Sequence, residues 1–464
     1  MNSQQSRYSP YQGLIPFAEK DSDFFFGREK ETRLIIANLF ASPLTILYGP
    51  SGVGKSSILR AGAVHQLNQR TDLVVIIYSD WKDEPLLKLK SLVYAIADED
   101  ANIDITLSLG DLLSECSAKL NQRIMIVLDQ FEEYFLYHPQ EDEFAIQFSK
   151  AVIQANSPVS FLISIREDAL AKLDRFEGRI PILFDNYLRL DYLDETAARD
   201  AIEKPIEKYN QTYLSGKKQI LIEPELVIEV LKELKTGQVS IGRTGLGTVE
   251  QGNSTTIETP YLQLVMERLW QRELENNSNV LRLQTLFGLG GAAKIVRTHL
   301  DSVMRKLSYS QRRLASRILQ YLVTPSGPKI ALRSGDLASY ADSSPPKIQT
   351  LLQRLTEHDI RLLRAIQTSG TNEMSYEIFH DVLAAPILDW RARQVRSSRS
   401  LWIIFSGITA LLVCLYVLGL AFFFASAKNT APDIFNGVIF CAGGLCMGPI
   451  MLGFLIGRGF ARAR

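Results

Sequence analysis

Cysteine is scarce in this sequence. Its 464 residues hold four, Cys116, Cys414, Cys441 and Cys446, and three of these lie in one apolar stretch near the C-terminus. None forms a CxxC pair, which argues against a zinc cage or a disulfide framework and fits a reducing cytoplasm. Net charge is missing as well. The 51 Lys and Arg balance the 51 Asp and Glu, so no global basic field draws in nucleic acid. The opening MNSQQSRYSPYQ is polar and carries no apolar h-region, so no signal peptide is expected. The length predicts two or three domains.

What is present begins with PLTILYG, residues 43–49, an apolar run that reads as a strand. It leads into the spacing GxxxxGK[ST] and then into the helical run SSILRAGAVHQL. In a strand–loop–helix context this spacing builds a phosphate cradle. Backbone N–H groups curl around the phosphates, and the helix N-terminus favours negative charge. The candidate phosphate-binding residues are Gly49, Pro50, Ser51, Gly52, Val53, Gly54, Lys55, Ser56 and Ser57. Lys55 would reach the β- and γ-phosphates, and Ser56 would hold Mg²⁺.

RIMIVLDQFEE, residues 123–133, is a continuous apolar run ending in acids. Such runs are strands buried on both faces of a parallel sheet. Asp129 is the natural carboxylate on the Mg²⁺ side, and Glu132 or Glu133 would orient or deprotonate the attacking water. Further strands read at 73–81, 159–168 and 187–193, most of them separated by helical stretches, which predicts a parallel α/β sheet. Ligands bind at the C-terminal strand ends of such sheets. Arg166 stands at one of these ends, where it would sense a γ-phosphate or pair with Glu167 or Asp168. No guanine-reading NKxD stretch follows the strands, which favours ATP over GTP.

The predicted organisation runs from an entry segment at 1–42 through an NTPase domain at 43–194 and a helical lid at 195–302 to a winged helix at 303–391. The lid reading rests on i, i+3, i+4, i+7 apolar spacing in PELVIEVLKEL and PYLQLVMERLW. The candidate recognition helix of the winged part sets Lys347 and Arg354 against Glu357 and Asp359. That basic face is thin, which argues against DNA as a partner. GQVSIGRTGLGTVEQGNSTTIE, 237–258, is a long loop of open role.

The C-terminal part reads as a membrane hairpin. A basic linker at 392–400 precedes an uncharged span at 401–427, a second span at 433–457 and a basic tail at 458–464. Each run is long enough to cross a bilayer as a helix. Arg391, Arg393, Arg396 and Arg399 precede the first span, Arg458, Arg462 and Arg464 follow the second, and only Lys428 lies in the turn. The positive-inside rule then places a multi-pass protein in the cell membrane with both ends in the cytoplasm. Gly444/Gly448 and Gly453/Gly457 give GxxxG spacings, which would pack helices within the hairpin or between copies.

Four ordered segments resemble the STAND NTPases, and more narrowly the bacterial novel STAND group. They are FFFGRE before the P-loop, VLDQFEEYF, TPYLQLVMERLW at 259–270, and YEIFHDVLAAPILDW at 376–390. The resemblance covers roughly residues 8–391. It implies an ASCE/AAA-like P-loop fold, with Gly27 and Arg28 of the first motif and Pro260 of the third on the adenine side. It further implies that His380 contacts the phosphate of bound ADP in a resting form. Two features depart from the group: no sensor repeats follow the ATPase, and the long loop at 237–258 intervenes before Pro260. The expectation is a slow ATP/ADP-controlled switch that forms homo-oligomers on activation by an unidentified trigger, in bacterial signalling or defence, with the hairpin as effector or anchor. The alternatives are a continuously cycling motor or transport ATPase, and a nucleotide-binding scaffold or transcription regulator.

Overall fold

The computed structural model describes residues 9–96, 106–140, 142–154, 158–215, 218–235, 256–323, 330–357, 360, 362–367, 374–378, 383, 386–388, 390–394, 409, 412–417 and 419. The chain divides into two compact units, 1–391 and 392–464.

The first unit is built on five strands: β1 Leu44–Gly49, β2 Leu73–Tyr78, β3 Arg123–Leu128, β4 Val159–Arg166 and β5 Tyr187–Arg189. All pair in parallel, in the order β2-β3-β4-β1-β5. The central strands are apolar along their whole length because both of their faces are covered. On β3, Ile124, Ile126 and Leu128 face one core, while Met125 and Val127 face the other. Edge strand β5 is short and largely exposed.

The first core is aromatic. Phe131 is fully buried and meets the rings of Trp81, Tyr134, Phe135, Phe144, Phe148 and Phe176 at centroid distances of 4.9–6.4 Å. The second core packs the helix Glu29–Ala41 and the segment after the P-loop against the opposite sheet face. The sequence predicts an α-helix for that segment. It begins as one, at Lys55–Ser57, but winds as a π-helix over Ile58–Val64 before His65–Leu67 closes it. Six of the seven π-wound residues are buried, so no single apolar stripe governs the winding. Gly62 abuts the neighbouring helix so closely that a Cβ there would lie 2.6 Å from Thr32 Oγ1.

The helices Glu195–Tyr213, Pro224–Glu233 and Thr259–Glu275 carry a core of their own around Tyr11, Tyr209 and Trp270. Two short strands join them, β6 Leu221–Ile222 and β7 Val280–Leu281. Beyond them, the helices Tyr309–Ile318, Ser334–Tyr340 and Pro345–Thr356 pack on a three-stranded antiparallel sheet. Its strands are β8 Leu332–Arg333, β9 Leu363–Gln367 and β10 Met374–Ile378, in the order β8-β10-β9. This sheet lies within residues 303–391, the stretch that the sequence predicts to be a winged helix, in which it would be the wing.

In the second unit, Leu412, Leu415, Tyr416 and Val417 are large, apolar and exposed on a helical stretch. Among the described residues no helix is long and apolar enough to cross a membrane. The two predicted spans, 401–427 and 433–457, fall almost entirely outside the described residues, as does the loop at 237–258 up to residue 255.

Phe131→Ala removes the hub of the aromatic core and is expected to lower stability by about 3–5 kcal/mol, as read by chemical denaturation. A loss below about 1 kcal/mol would contradict its role as the hub.

Candidate functional site

β1 ends in the P-loop because Gly49 closes the strand under Leu190, whose carbonyl oxygen would sit 2.3 Å from any Cβ there. Gly54 then takes a φ of 100° and opens the helix. Lys55 Nζ donates to the carbonyl oxygens of Gly49 and Pro50, each at 2.9 Å. Burial lowers the pKa of this ammonium, and Glu132 and Asp129 oppose that shift.

Asp129 follows β3 and is buried. Its Oδ1 accepts from Ser164 Oγ at 2.9 Å and from the Gln130 backbone N–H at 3.0 Å, which fixes the carboxylate toward the P-loop side. Glu132 and Glu133 open the next helix, Glu132–Tyr137, and part ways there. Glu132 lines the same cavity as Lys55 and accepts from the Arg166 backbone N–H at 3.2 Å. It keeps some solvent contact at the cavity wall, but the surrounding protein strips away much of its hydration. That desolvation pushes its carboxyl up to about 7, with Lys55 opposing. Glu133 is buried and turns to the wing, where its Oε1 lies 3.5 Å from Arg364 Nη2. Of the two acids, then, the one facing the nucleotide cavity is Glu132. A carboxylate with a pKa near 7 is matched to accepting a proton at neutral pH.

One cavity gathers Arg28, Ser51, Gly52, Val53, Gly54, Lys55, Ser56, Ser57, Asp129, Glu132, Arg166 and Pro260 from the expected set. The rest of its wall is largely apolar and aromatic, with Phe17, Phe24 and Phe25 from the entry segment and Pro260 from the helix Thr259–Glu275. The entry segment is clipped to the cradle by Phe17 N–H donating to Ser57 Oγ at 3.2 Å. Gly27 does not line the cavity. Its φ is 85°, and a Cβ would lie 2.2 Å from the Ala197 carbonyl oxygen, so it serves a close approach to the first lid helix. Arg28 acts on the cradle's shape. Its guanidinium donates to the carbonyl oxygens of Val53 at 3.1 Å and Asp191 at 2.8 Å, and pairs with Glu31. Gly49 and Pro50 contribute the carbonyls that hold Lys55. Arg166 lines the cavity but is engaged by Asp168 through two hydrogen bonds, at 2.9 and 2.7 Å. His380 lies outside the described residues.

Among the cavity residues that sequence reasoning missed are Gln130, Ser164 and Arg364. Gln130 and Ser164 flank Asp129. Arg364 comes from β9, and its one signal in the sequence is that it is the only charge in the strand LRAIQ. Ser56 and Asp129 offer a hydroxyl and a carboxylate beside the P-loop. Such oxygen donors fit Mg²⁺, which takes one or two protein ligands and completes its shell with phosphate and water. They would hold the ion, which would neutralise phosphate charge.

Glu132→Gln is expected to lower the single-turnover hydrolysis of bound ATP by about 100-fold or more. Glu133→Gln should leave the rate within the same order of magnitude. In the unsubstituted protein kcat/KM should rise with pH through about 7 and then level off, because the proton-accepting form of Glu132 is the deprotonated one. Equal losses in the two variants, or a flat profile between pH 6 and 8, would contradict the assignment.

The sequence model of the family described as Novel STAND NTPase 1 matches residues 10–396. No curated protein matches at a significant level. Among solved structures, a Walker-type ATPase of Pyrococcus abyssi is similar at a TM-score of 0.41 and 18% identity, covering 81% of this chain and 98% of that one. The ORC2 protein of Aeropyrum pernix is similar at 0.42 and 12%, covering 80% and 95%. The ORC1 protein of the same organism, in complex with DNA, is similar at 0.37 and 14%, covering 84% and 100%. The family match spans most of the sequence and includes the whole cradle, so the chain belongs to the Novel STAND NTPase 1 family and is a P-loop ATP hydrolase.

Proposed function

We propose that the chain is an ATP/ADP-controlled switch that hydrolyses slowly and rests with its wing closed over the nucleotide. The observation that carries this reading is that the wing forms part of the cavity wall. Arg364 of β9 lines the cavity, reaches Gln130 Oε1 at 3.3 Å and faces Glu133. A second link joins Lys82 Nζ, beyond the end of β2, to Ser375 Oγ of β10. A nucleotide enclosed by entry segment, lid and wing leaves only when one of them moves, so product release rather than chemistry sets the rate. In the catalytic step Lys55 binds the phosphates and Glu132 orients the water and takes its proton. Pro260 and the phenylalanines of the entry segment hold the base. His380 as a contact to bound ADP, and assembly of open copies into a homo-oligomer after an unidentified trigger, belong to this proposal.

Tethering to the cell membrane through the spans at 401–427 and 433–457, with both ends in the cytoplasm, is part of the same proposal. It is supported by the two long apolar runs and by the exposed Leu412, Leu415, Tyr416 and Val417, apolar side chains that call for a cover other than water. In this reading the hairpin is the effector or anchor of a signalling or defence protein. Toxicity of an activated form should then vanish without residues 401–464.

The direct test is nucleotide turnover by the purified full chain over hours, with Lys55→Ala as control and the bound nucleotide identified at the end. The switch predicts retained ADP and turnover far below the ~10 s⁻¹ typical of enzymes. Steady cycling that Lys55→Ala abolishes would favour a motor instead.

A further inference from the structure

Four cations line the cavity, Arg28, Lys55, Arg166 and Arg364, and Arg28 is taken up by the carbonyl oxygens of Val53 and Asp191 and by Glu31. Lys55 is held by two carbonyl oxygens of its own loop, and Arg166 by the exposed Asp168. Arg364 is placed differently, because it belongs to the wing. On the ladder between β9 and β10 it stands directly opposite Glu377, which is 1% exposed and pairs with its Nε. Its other reach is toward the sheet domain, to Gln130 Oε1 at 3.3 Å and Glu133 Oε1 at 3.5 Å.

These two sets of contacts are unequal. The ion pair with Glu377 is close and buried within one sheet. The contacts to Gln130 and Glu133 sit at the outer limit of hydrogen-bond length. One guanidinium thus serves two carboxylates, and the looser side is the one next to Asp129 and Glu132. A planar, permanently charged fork with a loosely held edge is suited to a phosphoryl group, which offers paired oxygens and more negative charge than either carboxylate.

We propose that Arg364 reads the γ-phosphate for the wing. A nucleoside triphosphate draws the guanidinium off Gln130 and Glu133, while the pairing with Glu377 carries the displacement into the β8-β10-β9 sheet. A diphosphate, one phosphoryl group shorter, leaves Arg364 on the sheet domain and the wing closed. Ser375 stands two residues before Glu377 on β10, so the same displacement strains its link to Lys82. Arg364 is then a positioning residue supplied in cis. The inference rests on the reading of this cavity as a nucleotide site.

The test measures the affinity of the full chain for ADP and for a non-hydrolysable ATP analogue. Arg364→Met should weaken the analogue by about tenfold or more, the size of a charge-assisted hydrogen bond, and leave ADP nearly unchanged. Arg364→Lys keeps the charge without the fork and should fall between the two, which covers a failure of the methionine variant to fold. Glu377→Gln should keep the preference for the analogue but abolish the analogue-induced change in hydrogen exchange across residues 374–378. Equal weakening of both nucleotides, or of neither, would overturn the proposal while leaving the nucleotide site intact. Failure of the unsubstituted chain, like Lys55→Ala, to bind either nucleotide would overturn the site and the proposal together.

Discussion

The turn after β3 is the constraint on which the rest of the structure depends. Five consecutive residues there divide among three surroundings, the cavity, the aromatic core and the wing. Asp129 is fixed by Ser164 beside the P-loop, Gln130 reaches the wing, and Phe131 enters the aromatic core. Glu132 enters the cavity and Glu133 turns to Arg364. Gln130 has a φ of 55°, a left-handed conformation that costs a residue with a Cβ roughly 1–2 kcal/mol. Glu133 N–H donates back to the Gln130 carbonyl at 2.9 Å, and Phe131 N–H donates to Ser164 O at the same distance. The strain is held in place by the sheet on one side and the buried phenylalanine on the other. Moving any one of the five would disturb the others, so Asp129, Glu132 and the contact to Arg364 are set by a single piece of backbone.

Charge follows from this placement. Two neighbouring acids differ because one loses hydration at a cavity wall beside Lys55, while the other gains a guanidinium from a different part of the chain. Burial raises the Glu132 carboxyl toward neutrality, and a buried glutamate without a partner at the position of Glu133 would be costly. The wing therefore contributes to the electrostatics of the site as well as to its walls. Arg28 contributes in another way, spending its donors on backbone carbonyls that shape the cradle.

Much of this was legible in the sequence. The P-loop and the five strands announce themselves, because a cradle needs its glycines and a strand covered on both faces must be apolar throughout. The helices Pro224–Glu233 and Thr259–Glu275 show in their 3.6-residue spacing. Other features depend on pairing that no local pattern carries. Glu132 and Glu133 are equivalent as letters, and only the direction of the helix start separates them. Arg364 gains its meaning from the β9–β10 register that sets it opposite Glu377. The π-winding over Ile58–Val64 follows no periodicity in a segment buried on nearly all sides. For Arg166 the sequence offered two partners, a phosphate or a neighbouring acid, and in this structure it holds Asp168.

The central claim is that the wing closes on the sheet domain and moves with the nucleotide. It is tested most directly by a spin-label distance between Leu136 and Tyr340, exposed positions on the helix Glu132–Tyr137 of the sheet domain and on the helix Ser334–Tyr340 that packs on the wing, each replaced by cysteine. The measurement uses a chain whose Cys414, Cys441 and Cys446 are serine, loaded with ADP or with a non-hydrolysable ATP analogue. The account predicts one narrow distance distribution with ADP and a longer, broader one with the analogue. The same distribution in both states would contradict it.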